Sequence, residues 1–364
     1  MEDMARERKS VLVLGAGVIG LTTALVLRRR GWQVTVLADQ FAPNITSAVA
    51  GALWEWPPGV CGKHLDLERP RRWAEASLRI FTELATDPAA GVYLRPVTFY
   101  FRHSLAGDAF HQEKMTQLAT IARGFRHDAA LIAENGIGPR HDYRDAYQHI
   151  APMIDTDVYL NWLLQSARDA GCEVIRRTVS APLADEAAQL LEEFHAEGIV
   201  NCTGFGARDL GDATVYPLRG AVIRVKNDGR RMPRITQAHC ISHDGISSDP
   251  GFVFIVPRGE DKLLLGGFAE PNQTELGIGL DNYEPVHEIL HRCVEFLPVL
   301  KNAEIDAAEP VRVGLRPARE HGVRLEWDDA LPILHNYGHG GSGVTYSWGC
   351  AFDAFRLLEL NSRP

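Results

Sequence analysis

Three glycines, Gly15, Gly17 and Gly20, stand in the stretch VLVLGAGVIGLTTALVLRRRGWQVTVLAD with the spacing G-x-G-x-x-G. Asp39 follows nineteen residues after the last of them. These residue types at this spacing suit a dinucleotide. The first glycine makes a tight turn, the second lets a pyrophosphate approach the backbone, and the third lets a helix lie against a strand. The helix start then presents unpaired N–H groups to the phosphates. A carboxylate at the end of the next strand can accept hydrogen bonds from both ribose hydroxyls, and it disfavours a 2′-phosphate and hence NADP. The unit alone leaves NAD and FAD open.

Other candidate groups come later in the chain. Thr46 and Ser47, in TSAVAGALW, carry hydroxyls that can bond phosphate, and the following AGA is small enough for a planar ring to lie on backbone. A structural loop explains that stretch equally well. In EPVRVGLRPARE, Arg316 sits between leucine and proline in a stretch poor in acidic partners. An arginine held on a strand suits two-pronged recognition of a carboxylate. Arg312 and Arg319 read as surface charges. Near the end, HNYGHGGSGVTYSWGC packs five glycines against the start of a final helix. Glycines in that number add no side chain to a core, so something must press closely on the backbone there.

The surrounding pattern predicts what holds these groups. Residues 11–14 are a short apolar run suited to a strand buried on both faces. Gly31 is a plausible helix stop before the second strand, QVTVLAD. Amphipathic helices are expected over 65–85 and 158–170, the second capped by Asp155 or Thr156 and stopped by Gly171. CEVIRRTV and GIVNCTG are short strands, the latter ending in Thr203 and Gly204 and consistent with a further βα crossing in the same sheet. From 215 to 267, VYPLRGAVIRV, GFVFIVP and KLLLGGF are strands separated by turn residues, which predicts an antiparallel sheet inserted into the first unit. Residues 283–300 resume as a helix.

Composition sets outer limits. A net charge of −9, from 38 basic and 47 acidic residues, argues against a general binder of nucleic acid or anionic membrane. The six cysteines (Cys61, Cys172, Cys202, Cys240, Cys293 and Cys350) form no CxxC pair and read as reduced, buried thiols with neither disulfide framework nor metal site. The basic start followed by an apolar run resembles a signal peptide. The glycine spacing and the lack of a small-residue cleavage site favour the strand–turn–helix, and a cytoplasmic protein is expected.

Taken in order, VLVLGAGVIGLTTAL, ADQFAP, AGALW, IVNCTG, PLRGAVIRV, FIVPR, GLRPAR and HNYGHGGSGVTYSWG resemble the D-amino-acid oxidase family of FAD-dependent flavoproteins. They run from residue 11 to 349, nearly the whole chain. The resemblance implies an α/β protein in which a Rossmann-like FAD-binding domain (8–60, 150–214 and 309–364) carries an inserted, mainly antiparallel β-sheet substrate-binding domain (61–149 and 215–308). It implies noncovalent FAD, with Gly15, Ala16, Gly17, Val18, Ile19 and Gly20 at the pyrophosphate and Asp39 and Gln40 at the adenosine ribose. Thr46 and Ser47 would assist the phosphates, Gly51, Ala52 and Leu53 would lie at the flavin, and Val179, Thr203 and Gly204 would line the nucleotide. Gly340, Gly341, Ser342, Gly343, Val344 and Thr345 would cover the isoalloxazine, with the helix N-terminus aimed at its N1–C2=O edge. Arg316 would grip the substrate carboxylate, and the Gly341 carbonyl would accept from the substrate amine. The implied reaction is hydride transfer from Cα to flavin N5, giving an imine and then a 2-oxo acid, ammonia and, with molecular oxygen as acceptor, hydrogen peroxide.

The chain departs from that family at four phenols. Aligned on IVP, Pro250 and Phe254 stand where vertebrate members carry tyrosines, and Pro57 and Ser342 replace two others. Arg316 thereby loses its usual hydroxyl partner, while Phe254 and Ser342 shape the substrate end. Three readings follow: an oxidase of D-amino acids or related amines, an oxidase of glycine, N-substituted or bulky modified amino acids, and a flavin-binding sensor without turnover. Each needs only a small molecule, with no nucleic acid or membrane as partner, and a homodimer is compatible with all three.

Overall fold

A computed structural model describes residues 9–57, 66–138, 142–241 and 251–361. The chain begins with strand β1 (Ser10–Leu14), helix α1 (Val18–Arg29), strand β2 (Gln33–Ala38), the single turn α2 (Thr46–Val49) and helix α3 (Glu68–Leu84). Strand β3 (Val92–Phe101), helix α4 (Ala109–Ile121), strand β4 (Arg126–His127), helix α5 (Ala130–Glu134) and strand β5 (Asp145–Ile154) follow. Next come α6 (Thr156–Asp169), β6 (Glu173–Arg176), α7 (Leu183–Glu193) and β7 (Gly198–Asn201). Strands β8 (Val215–Lys226), β9 (Ala238–Ile241), β10 (Gly251–Arg258), β11 (Lys262–Phe268) and β12 (Glu270–Pro271) precede α8 (Glu284–Phe296). The chain closes with β13 (Val311–Arg319), β14 (Arg324–Trp327), β15 (Ile333–Tyr337) and α9 (Gly343–Asn361).

Two sheets organise these elements. The first has the order β14-β15-β7-β1-β2-β6, parallel throughout except for β14 on one edge. Both faces of this sheet are covered, and strand alternation divides its side chains between two cores. Val11, Val13, Val34 and Val36 pack with α1, α6 and α9 on one side. Leu12, Leu14, Leu37 and Ile199 pack with Leu183, Ala187 and Leu190 of α7 on the other. Helix α1 is buried from Val18 to Leu27 because α6 and α9 enclose it.

The second sheet runs β12-β8-β11-β10-β9-β3-β5-β4, with β13 paired along β8. It is antiparallel except where β3 meets β9. One face carries Ile223, Val225, Ile255, Leu263 and Leu265 against Val286, Ile289, Cys293 and Phe296 of α8. The inserted antiparallel sheet expected from residues 215–267 is therefore present.

Three expectations change in detail. No helix continues the first sheet after β7; a short 3-10 turn, Gly204–Ala207, leads directly into β8 of the second sheet. Strand β13, grouped above with the first unit, pairs with β8 over nine residues, from Val311↔Ile223 to Arg319↔Val215. Strand β5 begins before residue 150, so the second sheet also crosses that boundary. Helix α6 is capped by Asp155, whose side chain accepts from the Asp157 N–H, and it ends before Gly171 at φ +92°. The five described cysteines are free and buried; Cys61 and Pro250 lie outside the described residues. Among the described residues no helix is long and apolar enough to cross a membrane.

Helices α3 and α9 meet at Gly349, where the backbones nearly touch. A Cβ built there would lie 2.2 Å from the Trp73 Cα and 2.5 Å from its carbonyl oxygen. Gly349→Ala is therefore expected to destabilise the protein by about 1–3 kcal/mol, the usual cost of overpacking, read as a fall in Tm. Gly107→Ala, at a glycine with nothing within 4 Å, should leave Tm within a degree or two of the parent.

Candidate functional site

The glycines of the first turn each meet a separate steric demand. Gly15 has φ +103°, and a Cβ there would stand 2.6 Å from the Cys202 carbonyl oxygen. At Gly20 a Cβ would fall 1.9 Å from the Gly15 carbonyl oxygen, so the helix can lie on the strand only without a side chain. Gly17 precedes α1, and its nearest neighbour would be the Ser47 hydroxyl at 3.1 Å. That hydroxyl accepts the Val18 N–H at 3.0 Å. Ser47, Val18 and the α1 N-terminus therefore form one polar cluster.

A cavity of about 460 Å³ opens beside this turn, between the two sheets. Its lining includes Gly15, Ala16, Gly17, Val18 and Ile19 from the turn, and Asp39 and Gln40 after β2. It also includes Thr46, Ser47 and Gly51, then Thr203 and Gly204, then Gly340, Gly341, Gly343, Val344 and Arg316. Seven residues expected at the site do not line it. Gly20 is enclosed beneath the turn, and Ala52 and Leu53 are buried with Leu53 bridging to Met153. Val179 packs against the cluster containing Leu37 and Leu183. Ser342 and Thr345 are buried around the start of α9. Phe254 lies one layer back, its ring so close to Gly51 that a Cβ there would meet it at 2.4 Å.

The Arg316 end of the cavity rests on the β8–β13 pairing. Gly314 lies opposite Gly220, and Arg316 opposite Leu218. A Cβ at Gly220 would fall 2.1 Å from the Arg316 guanidinium, so Gly220 clears the space that the side chain occupies. Arg316 donates to the Phe268 carbonyl at 3.3 Å, and no carboxylate pairs with it among the described residues. Burial pushes its guanidinium down to about 10, still a cation at neutral pH. Arg312 and Arg319 are not loose surface charges. Arg312 bonds Asp157 at 2.6 Å and Glu309 at 2.7 Å, and Arg319 bonds Asp212 at 3.1 Å. Tyr337 donates to Asp212 and Tyr346 packs against Trp73, so neither phenol lines the cavity.

Sequence reasoning missed several participants. Gly220, Val222, Asn44, Ile45, Asn336 and His339 also line the cavity. Arg258, from the quoted stretch FIVPR, is buried and donates to the carbonyls of Ala50, Gly51 and Ile154 and to the Thr156 hydroxyl. Its guanidinium is lowered to about 10 by burial, against the pull of Asp155 and Asp157. This one side chain fixes the loop on which the cavity wall depends. An arginine ending an apolar strand was the only signal.

The lining fits FAD. Backbone N–H groups gather at the α1 N-terminus, a carboxylate follows β2, and bare backbone at Gly340 and Gly341 leaves room for a flat ring system. Comparison with known proteins agrees. Residues 10–355 match the family model DAO, described as FAD dependent oxidoreductase. A D-amino-acid oxidase from Rubrobacter xylanophilus is 35% identical over 354 residues, covering 95% of this chain and 94% of that protein. One from Streptomyces coelicolor is 36% identical over 357 residues, covering 96% of each. A crystal structure of glycine oxidase from Geobacillus kaustophilus shares the fold with a TM-score of 0.76 at 19% identity, covering 97% of this chain and 95% of that one.

Replacing Arg258 by leucine should strand three buried carbonyls. At about 1.5–3 kcal/mol for each hydrogen bond from a charged group, and with losses that do not add, a net destabilisation of about 2–5 kcal/mol is expected. The expected readout is a lower Tm, with Arg258→Lys restoring part of it. On the strength of its full-length family match and of relatives above 30% identity, this chain belongs to the FAD dependent oxidoreductase family.

Proposed function

We propose that the protein is an oxidase of D-amino acids or closely related amines. It holds FAD noncovalently, uses molecular oxygen as acceptor, and releases a 2-oxo acid, ammonia and hydrogen peroxide. The observation that carries this reading is Arg316, a half-buried cation lining the cavity with no carboxylate partner among the described residues. The relatives named above, D-amino-acid oxidases at 35% and 36% identity, support the same substrate class.

In this reading the bound cofactor supplies a two-electron acceptor for the hydride leaving the substrate Cα. The protein's own groups bind and orient. Arg316 takes the substrate carboxylate with both prongs of its guanidinium, which fixes one end of the substrate. The Gly341 carbonyl accepts from the amine, so two anchors determine which Cα substituent faces the acceptor. Thr46 and Ser47, with the N–H groups opening α1, hold the pyrophosphate, and Asp39 with Gln40 holds the ribose. The N-terminus of α9, beginning at Gly343, sets a partial positive charge at the cavity wall and stabilises negative charge developing there. Asp39 is the one carboxylate among the described lining residues, and its role at the ribose leaves no acidic base beside Cα. That supports departure of hydrogen as hydride.

A specific observation favours broad acceptance of side chains. Phe254 contributes a ring packed on Gly51 where family members offer a phenol, and Ser342 is small and buried, so Arg316 is the principal carboxylate anchor. Peroxide release from a panel of D- and L-amino acids, glycine and N-methylglycine tests the assignment. Turnover confined to the L-series or to N-methylglycine would overturn it.

Removing the anchor gives a quantitative check. Arg316→Ala should lose about 2–5 kcal/mol of substrate-carboxylate interaction, a fall in kcat/KM of about thirtyfold to several thousandfold. FAD content should stay near that of the parent, because the contact is to substrate. Arg316→Lys should recover only part, since an ammonium lacks the planar fork. Kinetics of Arg316→Ala within a few fold of the parent would refute the carboxylate role.

A further inference from the structure

On the second sheet, none of them among the cavity-lining residues, three side chains converge where β3 gives way to α4. His103 follows the end of β3, Asp108 caps α4, and His111 lies in its first turn. One carboxylate oxygen, Oδ2 of Asp108, is shared. It lies 3.3 Å from Nε2 of His103 and 2.7 Å from Nδ1 of His111. The candidate ligand atoms of all three residues lie within 4.8 Å of one another.

We propose that His103, Asp108 and His111 form a site for a divalent transition metal ion, with Zn²⁺ as its chemical type. Two imidazoles and one carboxylate are a donor set that this ion takes, with three protein ligands and a fourth position left to water. The set is held before any ion arrives. The second oxygen of Asp108, Oδ1, accepts the His111 backbone N–H at 3.1 Å, which orients the carboxylate and turns Oδ2 towards both imidazoles. The His111 ring is clamped between Phe101 and Phe110, at centroid separations of 4.9 and 5.1 Å. His111 is only 6% exposed, so packing holds the ring with Nδ1 towards Asp108. His103 is well exposed, so the open coordination position faces solvent.

One effect opposes the site. The N-terminus of α4 carries partial positive charge, which repels a cation. Asp108 offsets that charge directly, and three inner-sphere ligands outweigh a dipole end screened by solvent. The metal would replace protons shared within the trio and would join the end of β3 to the start of α4. It should therefore stabilise the fold without touching the reaction.

The test uses the purified flavoprotein after treatment with a chelator and dialysis. Calorimetric titration with Zn²⁺ should give saturable binding near one ion per chain and a rise in Tm, while the kinetics with the best amine substrate stay unchanged. Asp108→Asn retains the helix cap, and His103→Ala alters an exposed side chain, so both variants should fold. Each should weaken binding about tenfold or more, since even outer-sphere changes cost that much. Co²⁺ in place of Zn²⁺ should develop visible d–d absorption in the parent and lose it in both variants. Absence of saturable binding, or equal affinity in parent and both variants, would overturn the proposal and leave the trio as a hydrogen-bonded helix cap.

Discussion

The pairing of β8 with β13 is the constraint from which the cavity follows. Nine consecutive pairs hold the two strands in one register, and that register sets Gly314 opposite Gly220. Each glycine gives its space to something else. Over Gly220 lies the Arg316 guanidinium, and against Gly314 packs Val49 of α2, where a Cβ would approach to 3.1 Å. A shift of one residue would turn Arg316 to the opposite face of the sheet and put a side chain where its guanidinium lies. The same strands bring α2 and the Ala50–Gly51 backbone towards the first sheet, where Thr46 donates to the Leu315 carbonyl at 3.2 Å. Strand pairing in the second sheet thus positions a loop that closes over the first.

Charge is distributed around that frame unevenly. Arg224 and Arg312 are neutralised by Asp157, Asp306 and Glu309 within one cluster. Burial alone would raise the Asp157 carboxyl, yet the hydrogen bond from Arg312 and the charges of Arg312, Arg224 and Arg258 hold it below its usual value. Arg258 spends its donors on neutral carbonyls, and Arg316 spends one on another. Among the lining residues Asp39 and Arg316 carry the charge, and because Arg316 has no carboxylate partner among the described residues the charge is positive locally, around its guanidinium, in a protein whose net charge is −9. Local and global charge oppose each other. Such a cavity attracts anionic groups, whether the phosphates of the cofactor or the carboxylate of a substrate, while the surface as a whole does not.

How much of this was legible in the sequence depended on sequence distance. The strand–turn–helix of residues 10–29 could be read because each glycine answers to neighbours in the same short unit or to the adjacent strand. Asp39 could be read because the spacing from helix to second strand is nearly fixed. The end of β7 was misjudged because Thr203 and Gly204 serve equally well before a helix or, as here, before a 3-10 turn into another sheet. Gly220 and Arg258 stayed hidden for a different reason. Their importance lies in partners 96 and more than 100 residues away, the Arg316 guanidinium for one and the Ala50 and Ile154 carbonyls for the other. Nothing local distinguishes them from any other strand glycine or strand-end arginine. Arg312 and Arg319 were misjudged likewise, since Asp157 and Asp212 reach them only through the fold.

The desolvation of Arg316 leads to a last step about specificity. Burying a guanidinium without a counter-charge is unfavourable, and a cation pushed down to about 10 records that strain as lost solvation. An anion entering the cavity relieves it, so part of the binding energy for a carboxylate is already present in the protein without a ligand. A phenol beside the arginine would have shared this task and fixed the carboxylate from a second direction. Phe254 instead gives its ring to Gly51 and the loop that covers the cavity. On the function proposed above, recognition would divide between one charged anchor for the acid end and backbone for the amine end. The side chain of such a substrate would be left to shape, and shape discriminates weakly, at only about 1–3 kcal/mol per methylene. An enzyme that worked in the proposed way would select for the common α-amino-acid head more strongly than for what is attached to it.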